Sequence, residues 1–227
     1  MLRLILWDVD DTLINFPLAE KRSMEQLLSE LGVTLSDEML SRYSVLNRKR
    51  WEALERGELT REEVMVGRFA DFFRSEGINA EAEAFNLRYQ LALGENVVLR
   101  DDSLNLLKRL KGRVLQFAVT NGSAIAQNKK LKNSGLISCF DRVFISETVG
   151  YEKPDSRFFD AVLSAAPDIP KNEIAIVGDS LTSDILGGNR VGIRCFWYNP
   201  DDKPFSSTVY VDGIFKHLRE INQYIIA

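Results

Sequence analysis

Two carboxylates, one residue apart, follow an apolar run near the start of the chain. The run Leu4–Trp7 carries large apolar side chains, and Asp8 and Asp10 come directly after it. Such a run is typical of a buried strand, so both carboxylates should emerge at its carboxyl end. Like charges this close repel each other, and at neutral pH they need a cation or a shared proton. The pair therefore predicts a metal site or a coupled acid/base pair, with a solvated turn as the alternative.

Four further apolar runs predict the rest of a sheet. They cover residues 114–119, 142–145, 174–177 and 193–198, with helical patterns at 125–133, 156–165 and 181–189. Because a helix separates most successive strands, we expect a parallel sheet with right-handed crossovers and helices on both faces. The predicted fold class is α/β, with a Rossmann-like three-layer core around a five-stranded parallel sheet.

The segment between the first two strands has a different pattern. Residues 19–93 contain no convincing strand and show helical periodicity, with helix starts at Ser36 and at a Thr60/Glu63 capping box. We therefore expect an inserted all-α unit. Four aromatic residues in it could form a stacking surface for a base, although their spacing favours packing in its core. They are Trp51, Phe69, Phe72 and Phe73.

Polar residues follow each of the first four predicted strands. They are Asp8 and Asp10; Thr120, Asn121 and Gly122; Lys153; and Asp179 and Asp184. In parallel sheets, ligands bind at the carboxyl ends of strands near the point where the strand order reverses. Carboxylates, a lysine and a hydroxyl at one edge would supply metal ligands, a nucleophile, a cation and phosphate hydrogen-bond donors. The set predicts phosphoryl-transfer chemistry.

These segments resemble, in order and spacing, the four signature motifs of the haloacid dehalogenase-like hydrolase superfamily. Residues 8–12 resemble the first motif, 120–122 the second, 153–154 the third and 178–184 the fourth. The helical insert between the first two motifs is similar to the C1-type cap of this superfamily. The resemblance implies a cap over residues 16–94 and a catalytic core made of residues 1–15 and 95–227.

The resemblance also implies a reaction. Asp8 would be the nucleophile that forms an aspartyl-phosphate, and Asp10 would donate a proton to the leaving oxygen and later take one from water. Mg²⁺ would be held by Asp8, Asp179, the Asp10 carbonyl and Asp184, the last directly or through water. Asp10 favours a phosphatase over a dehalogenase, since the haloalkanoate dehalogenases of the superfamily lack that residue.

Phosphate contacts follow from the second and third motifs. Thr120 would hydrogen-bond a phosphoryl oxygen, with the Asn121 and Gly122 amides beside it, and Lys153 would offset charge on Asp8 and on the phosphoryl group. Asp11 stands where most relatives with this cap have glycine, and we interpret it as structural. Just past the first motif, Phe16 is the candidate that would face the leaving group.

Four stretches, residues 10–13, 149–155, 178–188 and 197–200, most resemble the sequences of pyrimidine nucleotidases of the YjjG type. We therefore expect a magnesium-dependent phosphomonoesterase that acts on a small phosphate ester, most plausibly as a 5'-nucleotidase on nucleoside monophosphates. The alternatives are a phosphoglycolate or sugar-phosphate phosphatase, or a phosphomutase. A catalytically silent binding module of the same fold is the non-enzyme alternative, and the filled motif positions argue against it.

The composition and charge of the chain limit the classes of partner that it can bind. The 227 residues include 29 Lys and Arg against 33 Asp and Glu, which gives a net charge of -4 and no broad basic surface for a nucleic acid polymer. The start of the chain lacks the features of a secretory signal, and no apolar segment reaches membrane-spanning length. We expect a cytoplasmic protein without a membrane partner, with Cys139 and Cys195 as buried free thiols; nothing in the sequence specifies an oligomeric state.

Overall fold

Six parallel strands form a single sheet in the computed structural model, which describes residues 1–205 and 208–225. The strands are β1 Leu4–Trp7, β2 Leu115–Thr120, β3 Arg142–Ile145, β4 Ile174–Gly178, β5 Arg194–Tyr198 and β6 Gly213–Phe215. Their order across the sheet is β3-β2-β1-β4-β5-β6. In chain order, β2 and β3 therefore extend the sheet on one side of β1, and β4, β5 and β6 extend it on the other side.

This order places a switch point between β1 and β4. Every residue of β1 pairs with β2 on one side and with β4 on the other, and all four are buried. A strand covered on both faces is apolar at every position, which explains the continuous run in the sequence. The carboxyl ends of β1, β2 and β4 lie side by side, where parallel sheets bind their ligands.

Helices cover both faces of the sheet. They are α6 Ser103–Leu110, α7 Ala124–Asn133, α8 Ser146–Val149, α9 Ser156–Leu163 and α10 Leu186–Val191. Side chains alternate along β1, so Ile5 and Trp7 pack with α6 and α7, while Leu4 and Leu6 pack with α9. The layers are helix, sheet and helix, as the sequence predicts.

The predicted strand positions are confirmed to within one residue at each end, but the sheet has six strands where five were expected. The sixth, β6, contains only three residues and begins at Gly213. It pairs on one side only, with β5. A run this short gives no period-2 signal, and its position depends on the neighbouring strand.

Five helices lie between β1 and α6, and we call them the helical insert. They are α1 Phe16–Glu30, α2 Asp37–Glu55, α3 Arg61–Met65, α4 Gly67–Glu76 and α5 Ala82–Glu95. The side chain of Ser36 caps α2, and Thr60 and Glu63 form the expected capping box of α3. Gly77, with φ of +66°, ends α4 in the left-handed region.

The helical insert has its own aromatic core. Tyr43 stacks on Phe69 with ring centroids 5.4 Å apart, and Phe72 and Phe73 are buried beside them. Three of the four predicted aromatic residues therefore pack as expected. The prediction was wrong for Trp51, which is half-buried and lines a cavity between the insert and the sheet.

Two further expectations concern the cysteines and the membrane. Cys139 and Cys195 are buried free thiols, as predicted. Within residues 1–205 and 208–225, every helix is too short or too polar to cross a bilayer.

The core predicts a contrast between two isoleucines in strands. Ile176 in β4 is completely buried, whereas Ile214 in the edge strand β6 is 45% exposed. Ile176→Ala should lower the free energy of unfolding by about 2–5 kcal/mol, because it removes buried methyl groups and leaves a cavity. Ile214→Ala should change it by about 0.5 kcal/mol or less. Denaturant unfolding of both variants checks this, and equal losses would contradict the assigned core.

Candidate active site

A cavity of about 470 Å³ lies between the carboxyl ends of the strands and the helical insert. All residues predicted from the sequence as site residues line it, so the structure brings the whole set together. They are Asp8, Asp10, Phe16, Thr120, Asn121, Gly122, Lys153, Asp179 and Asp184.

Lys153 is the central cation of the site. Its Nζ donates to Asp8 Oδ1 at 2.7 Å, to Asp184 Oδ1 at 2.6 Å and to the Val119 carbonyl at 3.0 Å, which uses all three of its N–H groups. The side chain is only 2% exposed. Burial alone would lower the pKa of Lys153, but Asp184 and Asp8 outweigh it and raise the pKa. The lysine is therefore held charged between two carboxylates.

Three carboxylates form an acidic cluster beside it. Oxygens of Asp8, Asp179 and Asp184 all lie within 4.8 Å of one another. Burial raises the pKa of Asp8 to about 7, with a further contribution from Asp184 and against the effect of Lys153. Burial, followed by the charge of Asp8, also raises the pKa of Asp179. When all three carboxylates are ionised, their negative charges exceed the single positive charge of Lys153.

The donor set fits a hard divalent cation. Carboxylate oxygens are the ligands that Mg²⁺ prefers, and a charge of +2 would offset the excess negative charge of the cluster. Across the described ranges, no hydrogen bond or ion pair reaches the side-chain oxygens of Asp179. Asp179 therefore has a carboxylate that is free to ligate a metal.

Two residues that sequence reasoning left without a role shape this cluster. The buried hydroxyl of Thr12 donates to Asp8 Oδ2 at 2.8 Å and accepts from the Asp179 N–H at 3.1 Å, so it links the ends of β1 and β4. At Gly178, a Cβ would lie 2.2 Å from Asp184 Oδ2, so only glycine leaves room for that carboxylate. Their presence inside the first and fourth motifs was the available sequence signal.

In the loop after β2, the polar side chains predicted to lie beside a phosphoryl group make hydrogen bonds within the protein. The Thr120 hydroxyl accepts from the Gly122 N–H at 3.1 Å. The Asn121 side chain makes two hydrogen bonds with the main chain of Lys153. Its Nδ2 donates to the Lys153 carbonyl at 2.9 Å, and its Oδ1 accepts from the Lys153 N–H at 2.8 Å. Asn121 thus positions Lys153 with its side chain, and any phosphate contact is left to its main chain.

Asp10 is held by two residues of α7. Its Oδ1 accepts from Lys130 Nζ at 2.6 Å, and its Oδ2 accepts from Gln127 Nε2. The Lys130 side chain is 1% exposed, with Nζ 5.1 Å from the centre of the Phe16 ring. Sequence reasoning missed Gln127 and Lys130; their spacing of three on the helix after the second motif puts them on one face, which was the only signal.

Asp11 lies at the edge of the same cavity. Its φ is +63°, in the left-handed region, and its Oδ1 accepts from Arg100 Nη2 at 2.8 Å. Burial raises the pKa of Asp11, and Arg100 opposes that effect. The carboxylate therefore pairs with an arginine of the core, and it lies outside the acidic cluster.

A buried polar network in the helical insert forms the far wall of the cavity. Arg68 donates to Asn47 Oδ1 and to Asn86 Oδ1, both at 3.0 Å. Asn47 Nδ2 donates to Glu20 Oε1 at 3.1 Å. The sequence favours a solvated face for residues 47–50, and this is wrong for Asn47, which is 4% exposed. The network also includes Gln90, which donates to Asn86 and accepts from Ser123.

Glu55 joins the insert to the loop after β4. Its Oε2 accepts from Thr182 Oγ1 at 2.9 Å, and Thr182 lies in the π-helical turn Leu181–Ile185 that carries Asp184. Burial raises the pKa of Glu55 to about 7, and the charge of Asp184 adds to the effect. No motif marks Glu55, because it lies at the end of α2, far along the chain from its partner.

Residues 2–192 match the model of a family described as haloacid dehalogenase-like hydrolase. The chain belongs to that family. Its relatives include the HAD-hydrolase YfnB of Bacillus subtilis, 35% identical over 202 residues (89% of this chain, 86% of YfnB). The pyrimidine 5'-nucleotidase PynA of Streptococcus pneumoniae is 34% identical over 199 residues (87% of this chain, 84% of PynA). The pyrimidine 5'-nucleotidase YjjG of Escherichia coli is 28% identical over 221 residues (97% of this chain, 96% of YjjG).

A solved structure agrees with these matches. The crystal structure of YfnB bound to magnesium, which reveals interdomain movement in that protein, superposes with a TM-score of 0.92 at 33% identity and covers 98% of each chain. The resemblance to haloacid dehalogenase-like hydrolases that the motifs indicated is therefore confirmed. As a member of this hydrolase family, the chain is an enzyme of the phosphatase class.

Glu55 predicts a pH dependence of stability. Burial raises the pKa of Glu55 in the folded chain to about 7 from its ordinary value of 4.5, so between these pH values the folded protein binds more protons than the unfolded chain. Stability should then fall as the pH rises through that window and remain low above it. Glu55→Gln can still accept from Thr182 and should be more stable than the parent protein at pH 8, with the gain shrinking towards pH 4.5.

Denaturant unfolding in chelator at several pH values measures this gain, and Glu58→Gln is the control. Hydrogen bonds from Arg56 lower the pKa of Glu58, so its stabilisation is lost as the pH falls, and removing its charge should give no gain at pH 8. Equal stability of the Glu55→Gln variant and the parent protein at pH 8 would contradict the assignment.

Proposed function

We propose that the chain is a magnesium-dependent phosphomonoesterase that hydrolyses nucleoside monophosphates through an aspartyl-phosphate on Asp8. The observation that carries the proposal is the cluster of Asp8, Asp179 and Asp184 at the switch point of the sheet, with the Lys153 ammonium bonded to Asp8 and Asp184. The two pyrimidine 5'-nucleotidases among the relatives support the choice of substrate.

In the first step, an oxygen of Asp8 attacks phosphorus and the bond to the ester oxygen breaks. Thr12 holds Asp8 Oδ2 and Lys153 holds Oδ1, so the carboxylate is oriented before the substrate arrives. Asp10 gives a proton to the leaving oxygen, and its carboxylate then remains bound to Lys130 and Gln127. Thr120 and the main chain of residues 121–122 contact the phosphoryl oxygens.

In the second step, water attacks the phosphorus of the aspartyl-phosphate. Asp10 takes a proton from that water, the bond between phosphorus and the Asp8 oxygen breaks, and inorganic phosphate leaves. Throughout both steps, Lys153 offsets negative charge on Asp8 and on the transferred group. The same two aspartates thus serve both halves of the reaction.

The residues that would hold Mg²⁺ are Asp8 and Asp179 with their side chains, Asp10 with its main-chain carbonyl, and Asp184 directly or through water. Mg²⁺ held there would supply positive charge that offsets the charge of the carboxylates and of the phosphoryl group. Without that charge, the acidic cluster would repel a phosphate dianion. The magnesium in the YfnB structure supports this choice of ion.

The helical insert is the cap of the enzyme and holds the leaving group. We assign residues 16–94 to this cap and residues 1–15 and 95–227 to the catalytic core. Phe16 and Trp51 offer aromatic faces to the cavity, which suits a base. Asn47 and Arg68 also line the cavity, so its wall includes amide and guanidinium N–H donors. The carbonyl and hydroxyl oxygens of a nucleoside would match them.

Replacing the nucleophile should abolish turnover. Asp8→Asn keeps the size of the side chain and removes the attacking carboxylate, so phosphate release should stop while the circular dichroism spectrum is retained. Chelating the metal should have the same effect, and restoring Mg²⁺ should reverse it. Asp102→Asn, a change at the exposed start of α6, is the control and should retain activity. Substantial turnover by the Asp8→Asn variant would rule out the assigned nucleophile.

A phosphate-release screen with Mg²⁺ tests the substrate class. We expect nucleoside monophosphates to give a higher kcat/KM than sugar phosphates or phosphoglycolate, and no isomerised product. Faster release from a sugar phosphate or from phosphoglycolate would replace the nucleotidase assignment, and isomerisation would indicate a phosphomutase. Hydrolysis of none of these esters would contradict the proposed function.

Trp51 tests the position of the base. Stacking on an aromatic side chain is worth about 1–3 kcal/mol per base, so Trp51→Ala should raise KM for nucleoside monophosphates about tenfold. It should affect glycerol phosphate, which has no ring, much less. Tyr210→Ala removes an exposed ring elsewhere and is the control. An equal rise in KM for both esters would place the base away from Trp51.

A further inference from the structure

The corner between α2 and α3, residues 55–61, contacts the loops of the core that carry the proposed catalytic residues. Arg61, the first residue of α3, donates from Nη1 to the Asn121 carbonyl at 3.1 Å. Its Nη2 donates to Glu152 Oε1 at 3.1 Å and to the Ser146 hydroxyl, and its Nε lies 3.3 Å from the same Glu152 oxygen. One guanidinium of the insert therefore has three partners in the core, on the loops after β2 and β3.

These partners belong to the segments that position the catalytic groups. Asn121 is bonded through its side chain to the main chain of Lys153, and Glu152 is the residue before that lysine. Lys153 in turn contacts Asp8 at 2.7 Å. Arg61 therefore bonds directly to the main chain of the loop that carries Thr120 and Asn121, and to the Glu152 side chain of the loop that carries Lys153, which we call the lysine loop.

We propose that Arg61 is a positioning residue for phosphoryl transfer. From the helical insert, it holds the loop that carries Asn121 and the loop that carries Lys153 in fixed positions relative to each other. The inference rests on the proposed phosphatase mechanism. In this arrangement the insert helps to form the catalytic site in addition to covering it. Loss of Arg61 loosens the lysine that orients Asp8, whatever the leaving group is.

The chemistry of the contact requires arginine. A guanidinium is planar and offers five N–H groups in fixed directions, so it can reach a carbonyl, a carboxylate and a hydroxyl at once, which an ammonium on a flexible stem cannot. The Arg61 side chain is 18% exposed and that of Glu152 is 27% exposed, so solvent screens the pair less than a surface ion pair. The ring of Trp51 lies 5.7 Å from the guanidinium carbon and covers one side of it.

A second contact at the same corner supports this role. Glu55, at the end of α2, accepts from Thr182 in the turn that carries Asp184. Residues 55 and 61 together reach the loops after β2, β3 and β4. The corner therefore bonds to three of the four loops that carry the predicted catalytic residues.

The test compares Arg61→Ala and Arg61→Lys with a control from the same corner. The Arg56 side chain is exposed and, among the residues described, hydrogen-bonds only to Glu58 within the insert, so Arg56→Ala is the matched control. With Mg²⁺, Arg61→Ala should lower kcat about 10- to 100-fold for both p-nitrophenyl phosphate and a nucleoside monophosphate, since small misplacements cost that much. Arg61→Lys should recover only part of the loss, and Arg56→Ala should match the parent enzyme.

The split between kcat and KM separates positioning from simple closure of the cavity. An unchanged kcat with a raised KM for the nucleotide alone would overturn the proposal, because Arg61 would then act only on the leaving group. Glu152→Gln should lower kcat in the same direction, and combined with Arg61→Ala it should add little further loss. Independent, additive losses would also overturn it. Glu152→Gln keeps the test possible if the Arg61 variants fold poorly.

Amide hydrogen exchange provides a readout that does not depend on turnover. Peptides covering residues 120–123 and 146–155 should exchange faster in Arg61→Ala than in the parent protein, and no faster in Arg56→Ala. Unchanged exchange in both peptides would overturn the proposal. If the parent protein hydrolyses neither ester while exchange changes as expected, the proposed function fails and the positioning contact stands.

Discussion

The site depends on one buried ammonium between two buried carboxylates. Moving each of these ions out of water costs several kcal/mol, so the arrangement is stable only with close contacts and every hydrogen-bonding group satisfied. Lys153 meets that requirement with Asp8, Asp184 and the Val119 carbonyl. The main-chain N–H and carbonyl of Lys153 are both hydrogen-bonded to the Asn121 side chain. The ends of β1, β2 and β4 and the loop after β3 are therefore locked around a single charge.

The remaining negative charge explains why the site is reactive as well as stable. Lys153 compensates one of the three carboxylates in the acidic cluster, and the others stay close together because Gly178 leaves room for Asp184 and Thr12 links Asp8 to the Asp179 main chain. A fully neutralised cluster would have no affinity for a cation. Under the proposed function, the same excess charge would attract Mg²⁺ and would keep a phosphate away until the ion is bound.

Sequence reasoning could predict what the strands dictate. In a parallel sheet the carboxyl ends of neighbouring strands share one edge, so Asp8, Thr120 and Asp179 could be placed together from strand positions alone. Asn47 and Lys130 could not, because a polar residue that faces a cavity leaves the same helical pattern as one that faces solvent. Which it faces is decided by how the insert packs on α7. The strand β6 was missed for a related reason, since three residues are held there by pairing with β5.

The helical insert is attached to the core very unequally along its two sides. On one side α5 packs closely on α7: a Cβ at Gly94 would lie 2.5 Å from Lys129 Cβ, and Ala126 belongs to the apolar core of the insert. On the other side, the α2–α3 corner touches the core through the polar contacts of Arg61 and Glu55. Exposing packed apolar surface costs free energy in proportion to its area, whereas polar groups exchange their partners for water at a net cost of about 0.5–1.5 kcal/mol each. Separating the corner therefore costs far less than separating α5 from α7. Opening of the cavity is therefore easiest at the corner, where Arg61 contacts the loops that carry Asn121 and Lys153. The contacts that would break to admit a substrate are then the same ones that we propose hold these two loops in position.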